Sequence, residues 1–352
     1  MQIHMIRTVK AACEGIKKEL EGISRYDMPW AHRLWLYKNE FTTSRGMIYD
    51  LTEDRVNDYL TDLEHLRTVN INRGNKEIVE NKLEYHLVFS EKYPSHIPEL
   101  LAIVSNDGDI LCMKPEYNSI GDVLEGIQGQ KAVVKPKSAS GGDGVHILQR
   151  DGNTLQFDGE PKSELELRER LSKLPDSIIV EYIQQADYAE KIYPAGANTI
   201  RVLTMIDPKS GEPFIASAVH RFGTRESGHV DNWSSGGMSV GMDTKTGELG
   251  QLAMSPKGGE FERGTHHPDT GEKVTEIVVP DWESVRENVL EVAGECAELL
   301  PYAGWDVVVT DKNGSAKIIE ANSTPDVDLM QTHEPLLADE RVRRFYHHHD
   351  VL

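Results

Sequence analysis

Apolar and polar positions follow two rhythms along this chain. In the first 75 residues the helical spacing dominates: Val56, Leu60, Leu63 and Arg67 share one face, with Thr52 placed as a cap before Glu53 and Asp54. This predicts a helical N-terminal lobe over 1–75. From 76 to 130 the pattern changes. A helix carrying Ile78, Leu83 and Leu87 meets the breakers YPSHIPE; the apolar run Leu100–Val104 and the turn Asn106–Asp109 then lead into Ile110–Met113, which reads as a hairpin. Over 131–197, the strand-like runs AVVK and VHIL flank a glycine-rich loop, Ser138–Gly144. A helix bearing Leu165, Leu167, Leu171 and Leu174 ends at Pro175 and gives way to the strand Ile178–Glu181. From 198 to 352 strands dominate, beginning with IRVLTMI and FIASAVHRF. An amphipathic helix after Pro280 turns Trp282, Val285, Val289, Val292, Cys296 and Leu299 inward, and a last hairpin runs from Trp305 to Glu320.

Composition narrows the class. At 352 residues, 38% hydrophobic and 27% charged, the chain can bury a sizeable core. Its 58 acidic against 38 basic side chains give a net charge of −20, which argues against a nucleic-acid or anionic-membrane surface. No apolar run is long enough to span a membrane, and MQIHMIRTVKAACEG lacks the apolar core of a signal peptide. Cys13, Cys112 and Cys296 have no metal or redox spacing, so a reducing cytoplasm is expected.

The last hairpin is the most informative segment chemically. GWDVVVT, DKNG and SAKIIEAN place an acid on each strand. A three-residue loop, Lys312–Gly314, sets Asp311 across from Ser315 and therefore Asp306 directly across from Glu320. Asn322 shares that face by the period-2 rule. Two carboxylates and an amide oxygen suit Mg²⁺; the plainer reading places both acids on the solvent face of an edge hairpin. Lys135 directly precedes the glycine-rich loop, which could clamp phosphate or simply connect two strands; no P-loop string occurs. Arg201 and Arg221 lie on strands, followed by Asn232 and the turn Ser234–Gly237, and could hold a triphosphate or a carboxylate. Gly237-Met238-Ser239-Val240-Gly241 matches the G-x-S-x-G elbow of hydrolases, but it lacks the helix that motif needs after it. His347–His349 reads as a solvated tail.

In chain order, Lys82, VVKPKSASGGDGVHIL, IIVEYI, NTIRVLTM, RFG…DNWSSGG and WDVVV…IIEAN resemble an ATP-grasp enzyme. The sugar-transfer-associated ATP-grasp family is the nearest likeness, carried by EYIQQ, NTIRV, HPDTGEK before VPDW, GWDVVVT and IIEANSTPDVDLMQ over about residues 76–340. The resemblance implies an α+β fold whose two lobes grip the nucleotide. Residues 76–130 would form a linker and first α+β lobe, 131–197 the small lobe with its lid, and 198–352 the C-terminal lobe with the Mg²⁺ site. It also implies roles. Lys82 and Lys135 would contact the ATP phosphates, with Ser140, Gly141, Gly142 and Gly144 closing over them. Glu181, Tyr182 and Ile183 would lie beside the adenine. Arg201 and Arg221 would neutralise the transferred phosphoryl group, near Asn232. Asp306, Glu320 and Asn322 would hold Mg²⁺. The acid that holds the ribose is unassigned, with Asp187 and Glu190 as candidates. The implied activity is an ADP-forming carboxylate–amine ligase acting through an acyl-phosphate. A kinase for a sugar or polyol hydroxyl and a non-catalytic nucleotide-binding module of a glycan pathway are the other two readings.

Overall fold

Two seven-stranded sheets, antiparallel at every pairing, carry the architecture. The computed structural model describes the whole chain except residues 1–18, 21, 22, 25, 73, 128, 130, 139–141, 143, 256–260 and 311–314, and the side chain of Glu77. The first sheet contains β1 (Leu100–Val104), β2 (Ile110–Cys112), β3 (Lys131–Pro136), β4 (His146–Asp151), β5 (Thr154–Phe157), β6 (Glu160–Lys162) and β7 (Ser177–Glu181), ordered β2-β1-β7-β3-β4-β5-β6. The second contains β8 (Ile200–Ile206), β9 (Pro213–Phe222), β10 (Met238–Met242), β11 (Leu249–Met254), β12 (Glu262–Gly264), β13 (Tyr302–Val309) and β14 (Ala316–Asn322), ordered β12-β11-β10-β9-β8-β13-β14.

Side-chain alternation decides what each sheet face does. On one face of the second sheet, Ile200, Val202, Trp305, Val307 and Ile318 join Val285, Val289 and Val292 of the helix Trp282–Glu295 in one apolar core. Leu299, expected on that helix's buried side, lies beyond its end and is 40% exposed. The opposite face is divided. Leu203, Met205 and Tyr302 are covered by Val342, Phe345 and Tyr346, while Arg201 and Asp306 occupy the other end. The covering residues belong to the helix Glu340–His348, so His347–His349 sits at the end of a packed helix and not on a free tail, with His347 and His348 exposed as expected. In the first sheet, Val134, Leu148 and Ile179 pack under the helices Ile120–Gly126 and Glu164–Leu171.

Two expected helices are each broken by a polar residue. The one expected to run from Thr52 through Arg67 is a 3₁₀ turn, Val56–Asp58, then extended chain, then the helix Asp62–Thr68. The backbone of Leu60 explains the break: its N–H donates to Gln331 Oε1 at 2.7 Å and its carbonyl accepts from Gln331 Nε2 at 3.0 Å, groups a continuous helix would have paired internally. Thr61 then restarts the helix with a capping box, its hydroxyl accepting from Glu64 N while Glu64 accepts from Thr61 N. Thr61→Ala should lower the unfolding free energy by about 1 kcal/mol, read from the denaturant midpoint at unchanged slope. Likewise, the helix expected through Ile78 and Leu87 divides into Glu77–Glu80 and Lys82–Phe89. Asn81 caps the second piece, accepting from Leu83 N and Glu84 N, which puts Lys82 at its first position.

Candidate functional site

Strands β8, β9, β13 and β14 bring charge together on one sheet face because their register aligns it. Arg201 pairs with Asp306 across β8 and β13, and Asp306 with Glu320 across β13 and β14. Arg201 donates to Asp306 through Nε and, at 3.0 Å, through Nη2. Arg221 Nη2 reaches the same carboxylate at 3.1 Å and Asp231 Oδ1 at 3.2 Å. Asp231 also accepts from Thr199 N at 2.8 Å and Thr199 Oγ1 at 2.6 Å, and Arg221 Nε and Nη2 donate back to that hydroxyl at 3.0 and 2.6 Å. All four charged groups are buried. Two arginines against two aspartates keep this buried cluster neutral, and the hydrogen bonds offset much of its desolvation.

The Asp306–Glu320 pairing arises differently from the sequence expectation. Thr310 N donates to Ser315 O at 2.9 Å, so these two residues close the hairpin and the loop between them spans 311–314. The loop residues, including Asp311, lie outside the described residues. That closure alone would place Trp305 across from Glu320. Instead Val307 pairs with Ile318 while Asp306 pairs with Glu320, so Ile319 is a bulge that brings the acids back into line.

The first sheet and the helix Lys82–Phe89 each bring a lysine to the same place. Lys135 on β3 donates through Nζ to the carbonyl of bulged Ile319 at 3.2 Å. Lys82 Nζ lies 3.3 Å from Glu320 Oε1, and its backbone N–H is held by Lys137 O at 2.8 Å. Burial, reinforced by the neighbouring Lys82 charge and only partly offset by Glu320 and Asp306, pushes Lys135 down to about 8. Burial opposes ionisation of Asp306, but Arg201 and then Arg221 outweigh it and hold the carboxyl below its usual range. His86, one helical turn beyond Lys82, is pushed down to about 3 by burial and then by Lys135, and so stays neutral.

Other expected residues fall into place unevenly. Glu181 ends β7, with Tyr182 and Ile183 following it, half-buried. Gly142 and Gly144 both adopt positive φ, +81° and +74°, and a Cβ on Gly142 would collide with Val230, so the tip of the loop rests against the segment before Asp231. Ser140 and Gly141 lie outside the described residues. Asn232 does not enter the charge network: its Nδ2 donates to Ser234 Oγ at 2.9 Å, and its neighbour Asp231 makes the contacts to Arg221. Glu190 accepts from Gln185 Nε2 at 2.8 Å, and Asp187 opens the helix Asp187–Ile192. Ser239 of the hydrolase-like string is buried inside β10, hydrogen-bonded to His333 at 2.9 Å, with no elbow.

Among the described residues, no group of three or more His, Cys, Asp or Glu side chains could hold a metal. The candidate donors here are two carboxylates and an amide. Asn322 Nδ2 donates to Gly304 O at 3.4 Å, which leaves its Oδ1 as the acceptor. Glu320 is 31% exposed at its side chain. Hard oxygens of this kind fit Mg²⁺, with Lys82 and the arginines neutralising the carboxylates where a divalent ion otherwise would.

The sequence model of the sugar-transfer associated ATP-grasp family matches residues 63–343. The chain belongs to this family. Its ATP-grasp fold is the α+β arrangement described above. No curated protein matches the sequence. Among solved structures, an ADP complex of N5-carboxyaminoimidazole ribonucleotide synthetase is similar at 12% identity and TM-score 0.37, covering 73% of this chain and 50% of the other. D-alanine-D-alanine ligase from Helicobacter pylori is similar at 12% identity and TM-score 0.39, covering 77% and 61%. Biotin carboxylase from Campylobacter jejuni is similar at 11% identity and TM-score 0.40, covering 76% and 46%. The chain thus spans roughly half the length of these three proteins. No helix among the described residues of this ATP-grasp protein is long and apolar enough to cross a membrane.

Proposed function

We propose that this chain is an ATP-dependent carboxylate–amine ligase that forms an amide through an acyl-phosphate and releases ADP. The observation that carries the reading is the gathering of Lys82, Arg201 and Arg221 on Asp306 and Glu320, with Lys135 on the carbonyl of Ile319 beside them, where strands of both sheets meet.

Phosphoryl transfer needs positioning and charge neutralisation more than a protein nucleophile. Lys82 and Lys135 bind the nucleotide phosphates as point charges. Glu181, Tyr182 and Ile183 border the adenine. Asp306, Glu320 and Asn322 would hold Mg²⁺, which when bound supplies positive charge to the phosphate oxygens. Arg201 and Arg221 orient the γ-phosphoryl group. A carboxylate oxygen forms the new P–O bond as the bond to ADP breaks; an amine then attacks the acyl carbon, phosphate leaves, and the amine proton goes to phosphate or solvent. The loop around Gly142 and Gly144 excludes water, which would otherwise hydrolyse the acyl-phosphate. The substrates are therefore a small carboxylic acid and a small amine.

The test is phosphate release from ATP with panels of acids and amines, combined with mass spectrometry of the products. Release that needs both an acid and an amine, with an amide product, is expected. A product heavier by one phosphoryl group would instead make the protein a kinase, and nucleotide binding with no release would make it a binding module. Glu320→Gln should lower turnover by about 10²-fold if Glu320 holds the metal; full turnover in that variant would remove the assignment.

A further inference from the structure

Arg221 is anchored from one side, and the anchor was not among the residues the sequence singled out. Its Nε and Nη2 are occupied by Thr199, Asp231 and Asp306. Among the described residues nothing accepts from Nη1, so the bound edge of the planar guanidinium fixes where the other end points. Asp306 serves both arginines, whereas Asp231 serves Arg221 and the Thr199 groups that also hold it. Asp231 is only 7% exposed, so its charge is tied to this contact and not to solvent. Its segment is itself fastened: Tyr193 Oη donates to Thr224 O and Gly228 O at 2.7 Å, Ser227 Oγ donates to Val230 O at 2.6 Å, and His229 Nδ1 lies 2.7 Å from Ala195 O. The residue before Asp231 is Val230, the seat on which Gly142 rests.

We propose that Asp231 is a positioning residue, setting the Arg221 guanidinium toward the γ-phosphoryl group. The proposal rests on the ATP-dependent reading of the site. It makes Asp231 act through Arg221, so its effect falls on the last phosphoryl group and not on the rest of the nucleotide, which Lys82 and Lys135 serve.

Titration of the full chain with ATP and with ADP, each with Mg²⁺ and without a second substrate, reads that distinction directly. Asp231→Asn should reduce the preference for ATP over ADP by about 10-fold, because a charge-assisted contact is replaced by a neutral one. Affinity for ADP should stay within about twofold of the parent protein, as expected for a distant, independent contact. Thr199→Val, which removes the hydroxyl shared by Arg221 and Asp231, should shift the preference in the same direction and carries the test if Asp231→Asn does not fold. Unchanged preference in Asp231→Asn or, where that variant does not fold, in Thr199→Val overturns the positioning role. A parent protein that binds neither nucleotide overturns the ATP reading itself, a result that no variant is needed to see.

Discussion

Asp306→Ala is expected to reduce ATP turnover by about 10³-fold and the unfolding free energy by about 3–5 kcal/mol, the largest combined effect of any single change in this chain. The carboxylate accepts from Arg201 at both oxygens and from Arg221 at one, all of it buried. Removing it takes away the carboxylate that Arg201 is hydrogen-bonded to and leaves Arg221 with Asp231, and an undercompensated buried charge costs far more than the net worth of the pair. Asp306→Asn separates the two losses. It keeps the volume and one acceptor oxygen, so it should recover much of the stability while turnover stays low. Denaturant unfolding and phosphate release, measured on both variants, check this. An Asp306→Ala protein as stable as its parent would mean that the arginines are solvated and not held.

Lys135→Met should weaken ATP binding by about 10–100-fold and change how binding responds to pH. With its pKa pushed down to about 8, Lys135 loses its charge as pH rises through that value, so ATP affinity in the parent protein should fall between pH 7 and 9. The methionine variant should be flat over the same range. Stability responds with the opposite sign. The folded-state pKa lies below that of an unfolded lysine, near 10.4, so between pH 8 and that value the unfolded chain holds a proton the folded chain has released. The contribution of this group to stability therefore rises with pH across that window and is constant below it. A parent protein whose ATP affinity does not change from pH 7 to 9 would show that Lys135 is fully charged there.

What could be read from the sequence was what local periodicity controls. The strands IRVLTMI and FIASAVHRF and the helix after Pro280 follow from apolar periodicity, whereas alternation alone left open which way the face of Asp306 would turn. What could not be read depended on distant partners. Leu60 leaves its helix because Gln331, far along the chain, takes its backbone groups. Asp231 sits before a turn, where an aspartate reads as a cap, and only the proximity of Thr199 and Arg221 reveals its ion pair. Asn232, the residue chosen in its stead, has the turn chemistry without the contact. The pairing of Asp306 with Glu320 was reached through a loop length that the strand ends do not have, and a bulge at an isoleucine carries no signal in the local pattern.

The bulge at Ile319 separates the site from the turn beyond it. Partner assignments on the site side of Ile319 are fixed by the contacts of Asp306 with Arg201 and of Ile319 O with Lys135, and not by the number of residues between Thr310 and Ser315. The segment 311–314 is thus a place where the chain can be lengthened, shortened or replaced without rotating Glu320 away from its partner. A deletion of Ile319 itself would remove the bulge and make Glu320 follow Ile318 directly, so Glu320 would still fall across from Asp306, while Lys135 would lose the carbonyl that the bulge presents to it.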